Sequence, residues 1–247
     1  MLINYRARRA LDRQLAYQQA KAASLRGNEI QLIPSLKLAS RNARSALEKV
    51  RPIGAESRVL EVGSGAHGLI FFFGTEYAIG IDPLAAHYAT LFPVWQSRAI
   101  TIAAYGERLP FVSSSFDIVL CDNVVDHAQS PAAIVAEIAR VLSPGGLVYF
   151  TVNVHHPLYA VASSLHATWN AMGFHYEITP FADHTVHLTL DVARKLVQSS
   201  KLRILQESND IAATSKRAAS IVPRHFGDRL KRLFFKNAQY CVIATKQ

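Results

Sequence analysis

The stretch VLEVGSGAHG (residues 59–68) sets a carboxylate, Glu61, near the end of a β-type run and follows it with Gly63, Gly65 and Gly68. A GxGxxG spacing between a strand and a helix lets the chain turn tightly and lets a ligand come close to the backbone. Spacing alone leaves two ligands open. A nicotinamide dinucleotide would use the same glycines with an acidic residue about twenty positions on, where Asp82 stands. Glu61 separates the two, because it repels a pyrophosphate but attracts a ligand bearing a cationic amino acid and a sulfonium.

Proton transfer near neutral pH falls most naturally to histidine. Seven of the ten histidines lie between His127 and His187: these two and His155, His156, His166, His175 and His184. His127 follows one β-type run, and His155 and His156 follow the next, so all three belong at the carboxyl edge of a parallel sheet, where ligands bind. His155 and His156 are the leading candidates for a general base or acceptor-orienting group, with His127 next. The competing reading makes them ordinary loop or capping residues. His184 and His187 have no spaced carboxylate or cysteine partner, so no metal site is expected, since metals take three or four placed ligands. Cys121 and Cys241 sit in apolar runs and read as buried free thiols.

These groups need elements to hold them. From Arg58 onward short β-rich runs alternate with helical ones, the pattern of a parallel sheet. Strands are expected at 58–62, 77–81, 99–103, 116–121, 146–152, 201–207 and 237–245. Helices are expected at 66–73, 84–91, 131–142 and 191–199, the third opening on the cap and first-turn pair Ser130-Pro131. Before Arg58, two helical patterns fill the chain. In the second, Leu32, Leu36, Ala39, Ala43, Leu47 and Val50 recur every three or four residues until Pro52 and Gly54 stop the helix. Residues 154–190 show no clean period and read as an insertion on the substrate side.

With these residues in view, the chain resembles the class I, Rossmann-like S-adenosylmethionine-dependent methyltransferases. VLEVGSGAHG is similar to their first motif, IGIDP (79–83) to the second-strand motif, and GERLPF (106–111) to the adenine-side loop. FDIVLCDNVVDH (116–127) resembles their fourth strand and its turn, and RVLSPGGLVYFTV (140–152) the entry to the fifth. The resemblance implies an α/β, Rossmann-like, doubly wound and mostly parallel seven-stranded sheet with N-terminal helices. It implies an N-terminal helical lid at 1–54, a methyltransferase domain at 55–247, and S-adenosyl-L-methionine as donor with S-adenosyl-L-homocysteine as product. By resemblance Glu61, Gly63, Ser64 and Gly65 hold the methionine part, Asp82 and Pro83 the ribose, and Gly106 and Glu107 the adenine, while Asn123 and Val124 lie nearest the transferred methyl. The chain departs from the family at Ala66-His67-Gly68 and the bulky Leu69–Phe73, where small polar residues are commoner. Asp122–Val125 also lacks the prolines and aromatic residue of DNA amino-methylating enzymes.

Charge bounds the partners. The net charge of +9 divides into +8 over residues 1–58 (12 basic, 4 acidic), −8 over 59–193 (3 basic, 11 acidic) and +9 over 194–247 (12 basic, 3 acidic). The motif-bearing centre is acidic, which argues against a cleft built around a nucleic-acid backbone, while the basic flanks allow peripheral contact with an anionic membrane. The charged N-terminus points to a cytoplasmic protein. The expected function is methyl transfer to oxygen or nitrogen of a small molecule. Three alternatives stand beside it: an RNA or polyanion acceptor, a non-catalytic S-adenosylmethionine-binding partner protein, and a nicotinamide oxidoreductase.

Overall fold

The computed structural model describes residues 5–25, 27–159, 186–220, 222 and 234–247. His166, His175, His184, most of the 154–190 insertion and most of the basic stretch 224–236 lie outside the described residues. Two N-terminal helices, α1 (Tyr5–Leu25) and α2 (Ile33–Glu48), precede strands β1 (Arg58–Val62) and β2 (Tyr77–Ile81). Next come α3 (Ala85–Leu91), the single turn α4 (Pro93–Gln96), β3 (Ile100–Ile102), β4 (Phe116–Asp122), α5 (Pro131–Val141) and β5 (Leu142–Val154). The chain closes with α6 (Leu190–Gln198), β6 (Leu202–Asn209), α7 (Ile211–Ala219) and β7 (Ala238–Lys246).

The seven strands form one sheet in the order β3-β2-β1-β4-β5-β7-β6. Pairings from β3 through β5 are parallel, whereas β7 runs antiparallel to both β5 and β6. The mostly parallel sheet read from the sequence is thus a mixed one. Alternation of apolar residues marks a strand and its faces but is the same read in either direction, so it carries no information about strand sense.

Side-chain alternation splits the core in two. Leu60, Val62, Val119, Cys121, Val148, Phe150, Tyr240 and Val242 point to one face, where Ile134 and Ile138 of α5 and Ala193 and Val197 of α6 cover them. Val59, Ile118, Leu120, Leu147 and Ile243 point to the other, beneath Leu36, Ala43 and Leu47 of α2 and the aromatic residues Tyr88, Phe92 and Trp95. Helices on both faces satisfy a sheet that is apolar on both sides.

Two local differences from the sequence reading bear on the site. Ser40, not Ala39, completes the buried stripe of α2, and its hydroxyl donates to the carbonyl of Leu69 at 2.8 Å. The helix expected at 66–73 is only a 3₁₀ turn, Leu69–Phe72. Leu69, Ile70, Phe71 and Phe73 are all buried, so this run has no polar face for a longer amphipathic helix, and Gly74 at φ +81° redirects the chain.

Candidate functional site

The turn after β1 is fixed from several sides. Gly63 and Gly65 adopt φ of +72° and +52°, a region that L side chains avoid. The N–H groups of Gly63 and Ser64 both donate to the carbonyl of Ile81, at 2.8 and 2.9 Å, which ties the turn to the end of β2. A Cβ on Gly63 would stand 2.4 Å from Val124, so the residue after β4 packs directly on the turn. Ser64 is buried and nests against Gly80, where a Cβ would meet its hydroxyl at 2.7 Å. A Cβ on Gly65 would meet the Gly63 carbonyl at 3.9 Å and Asp82 Oδ2 at 4.0 Å, so this glycine borders the Asp82 carboxylate without crowding it. On the far side Trp95 Nε1 donates to the carbonyl of Ala66 at 2.8 Å, and Gln96 Nε2 donates to the carbonyls of Gly65 and Ala66 at 3.1 Å each.

Glu61 lies beneath this turn, with one carboxylate oxygen accepting from Leu69 N–H and the other from Ile70 N–H, both at 2.9 Å. It therefore caps the 3₁₀ turn. Gly68 makes the approach feasible, since a Cβ there would lie 2.4 Å from Glu61 Oε2. Burial, with a smaller push from the charges of Asp122 and Asp82, raises the Glu61 carboxyl to about 8 against the downward pull of the two N–H bonds.

Asp82 bridges the two strand ends: Oδ2 accepts from Gly65 N–H at 3.1 Å and Oδ1 from Leu84 N–H at 2.8 Å. A carboxylate offers about four lone-pair positions, so two remain for a ligand. Its carboxyl is raised by burial, against those two N–H bonds. Pro83 follows directly. Asn123 takes φ +58° and its N–H donates to the carbonyl and hydroxyl oxygens of Thr151, while Asn153 Nδ2 donates to Asn123 Oδ1 at 2.6 Å. Thr151 also donates its hydroxyl to Asp122, whose carboxyl burial raises. No lysine or arginine figures among the groups that shift Glu61, Asp82 or Asp122. The site thus gathers three carboxyl groups whose charged form burial disfavours and a nearby positive charge would favour.

Gly106 is tight against Val62 and Ile134. Glu107 Oε1 accepts from Gln129 N–H at 3.0 Å, so this loop is fastened to the chain entering α5. Beside it Tyr105, which the sequence reading passed over, is exposed. Its phenol is raised by burial and then by the charges of Glu107 and Asp82. Trp95 and Gln96 were also missed. They lie about thirty residues from the turn they pin, and no local motif marks such a partnership.

The three histidines fall in different surroundings. His155 is fully buried, its Nδ1 accepting from Asn237 N–H at 3.4 Å, with its ring 5.2 Å from Tyr159 and 4.9 Å from His187. His156 is half-buried against Phe234 and Phe235, and its Nδ1 accepts from Leu158 N–H at 3.3 Å. His127 has a side chain 47% exposed, with Nε2 3.9 Å from the buried Asp126 carboxylate. The unusual His67 packs on Phe92 and Trp95, and burial, then Lys21, lowers it to about 4. Among the described residues there is no cluster of three metal-ligating side chains, and no helix is long and apolar enough to cross a membrane.

Comparison with known proteins finds a similarity over the part of the chain that carries this geometry. Residues 60–150 match the family model of a methyltransferase domain. The chain is 39% identical over 77 residues to a thiol S-methyltransferase of Rattus norvegicus, covering 29% of this chain and 32% of that protein. It is 28% identical over 117 residues to a ubiquinone biosynthesis O-methyltransferase of Burkholderia vietnamiensis, covering 46% and 43%. The chain thus spans less than half the length of these curated relatives. Among solved structures, a phosphoethanolamine N-methyltransferase of Haemonchus contortus, held in complex with phosphomonomethylethanolamine and S-adenosylhomocysteine, shares the fold. Its TM-score is 0.58 at 16% identity, covering 83% of this chain and 52% of that one. Over residues 60–150 the chain is thus similar to a methyltransferase domain, and its fold is one found in solved methyltransferases.

Proposed function

We propose that this protein transfers the methyl group of S-adenosyl-L-methionine to an oxygen or nitrogen of a small molecule, releasing S-adenosyl-L-homocysteine. The observation that carries the reading is the glycine turn at Gly63–Gly65 with the carboxyls of Glu61, Asp82 and Asp122 gathered at the strand ends around it, groups that burial raises and a cationic ligand would draw into the charged form. Such an edge suits an ammonium and sulfonium and repels a dinucleotide pyrophosphate. The named O- and S-methylating relatives support a small acceptor and add sulfur to the atoms worth testing.

The donor supplies a methyl group already activated by the positive sulfur. The protein's part is to bind, align and exclude water. In this reading the backbone of Gly63, Ser64 and Gly65 lies along the methionine part, with Glu61 holding the turn rigid and giving up its proton to the cationic ligand's field. Asp82 accepts the ribose hydroxyls with its remaining lone pairs, Pro83 shapes the same wall, and Gly106 and Glu107 border the adenine. Asn123 and Val124 stand nearest the methyl. Of the histidines, His127 is the accessible one beside a buried carboxylate, which suits it to take a proton from the acceptor. His155 and His156, packed among rings, serve to orient the acceptor wall. The helices at 1–54 act as a lid over the donor.

Titration with S-adenosylhomocysteine and with NAD tests the donor site, and NAD binding alone overturns it. An acceptor screen with labelled donor, read by mass spectrometry, tests the small-molecule class. Product formed only on RNA would replace it, and donor binding without turnover on any acceptor would favour a non-catalytic role.

A further inference from the structure

A second built feature lies away from the donor edge. Where β2 begins, a groove of about 480 Å3 is lined by Lys37, Arg41 and Arg44 of α2, by Arg98, and by Phe72 and Thr75. Two of its cations are fixed by the backbone. Arg44 donates to the carbonyls of Phe73, Gly74 and Ile53 at 2.8, 3.0 and 2.8 Å, and Arg98 Nε donates to the carbonyl of Phe71 at 3.1 Å while its guanidinium lies 4.8 Å over the Phe72 ring. The other two are exposed. Lys37 sits 5.8 Å from the same ring, and Arg41, one helical turn and about 6 Å further along α2, has no hydrogen bond or ion pair among the described residues. Glu48 offsets only Arg44. Thr75 adds a buried hydroxyl with no hydrogen-bond partner.

Arg98 is one of three basic residues in the acidic span 59–193, yet it converges with three cations of the N-terminal flank. Four like charges around one concavity repel one another unless an anion joins them. Their spread along a turn of helix and across to Arg98 exceeds one phosphate, and guanidinium groups held in place bind phosphoryl oxygens in fixed geometry. We propose that this groove binds the phosphoryl groups of a small oligophosphate, a diphosphate or longer, at a site separate from the donor. Asp82, which marks the donor site, follows the carboxyl end of β2, whereas Thr75 precedes its start, so the two ligands occupy opposite edges of the sheet.

Calorimetric titration of the full chain with pyrophosphate, tripolyphosphate, ADP and a single-stranded oligonucleotide, in ~0.1 M NaCl, tests this. The expected result is saturable one-to-one binding of tripolyphosphate that the double variant Lys37→Ala/Arg41→Ala weakens at least about tenfold, with Thr75→Val weakening it less. Both variants keep wild-type circular dichroism, because none of the three side chains makes a hydrogen bond that holds the fold among the described residues. Equal affinities for ADP and tripolyphosphate would identify the free phosphoryl chain as the ligand, and tighter ADP a nucleotide-borne one. Binding of ADP alone, no binding at all, or affinity untouched by the double variant would overturn the proposal. So would an oligonucleotide that binds more tightly than tripolyphosphate with affinity rising with its length.

Discussion

Glu61 is pulled two ways, by burial toward the neutral acid and by two backbone N–H groups toward the carboxylate, and burial prevails to about 8. A cationic ligand shifts that balance toward the carboxylate. Binding of S-adenosylhomocysteine near pH 7 should therefore release up to about one proton, measured by calorimetry in buffers of different ionisation enthalpy, and the release should vanish near pH 9. In the ligand-free protein the same raised carboxyl stabilises the fold most at low pH and loses that contribution as pH rises from the ordinary 4.5 toward about 8. His67, lowered to about 4, works in the opposite sense between there and 6.5. A fall in Tm from pH 6.5 to 8 that Glu61→Gln flattens is the expected signature. At the neighbouring carboxylate, Asp82→Ala should weaken S-adenosylhomocysteine binding at least about tenfold, since two charge-assisted bonds to the ligand and the tie to Gly65 go together.

The turn belongs to four elements at once. Gly68 has an ordinary φ of −58°, so Gly68→Ala costs nothing in backbone preference and acts only through its Cβ, 2.4 Å from Glu61 Oε2. Expelling that carboxylate leaves the Leu69 and Ile70 N–H groups buried and unpaired, a loss of about 2–4 kcal/mol visible in urea unfolding, with donor affinity falling in parallel. Ser40→Ala reaches the same turn from α2, stranding the Leu69 carbonyl at a cost of about 1–2 kcal/mol. The elements were largely legible beforehand. β1, β2, α3, α5 and β7 lie where period and caps placed them, and Ser130 accepts from Ala133 N–H as an N-cap should. The short turn at 69–72, the added helix α7 and the antiparallel sense of β7 were not legible, because each follows from what a segment packs against.

Across the whole molecule, segregated charge resolves into two edges: an acidic one where β1, β2 and β4 end, and a basic groove where β2 begins. Cys121 illustrates the interior between them, fully buried with its thiol pushed up by burial and then by Asp122 and Asp126. It should resist thiol reagents in the native protein at neutral pH and react only upon unfolding, as followed by mass spectrometry in a denaturant series.

The proposed donor side was legible in the sequence: carboxylates and glycines spaced around β1 and β2 are local features, and a turn's chemistry is written in consecutive residues. Tertiary structure decided what each residue does there. Glu61 caps a turn, Trp95 and Gln96 pin it from thirty residues away, His155 is sealed inside while His127 is open, and Arg98 joins α2 rather than its own acidic neighbours. Burial and long-range hydrogen bonding depend on which segments meet, and that is settled only when both faces of the sheet are covered.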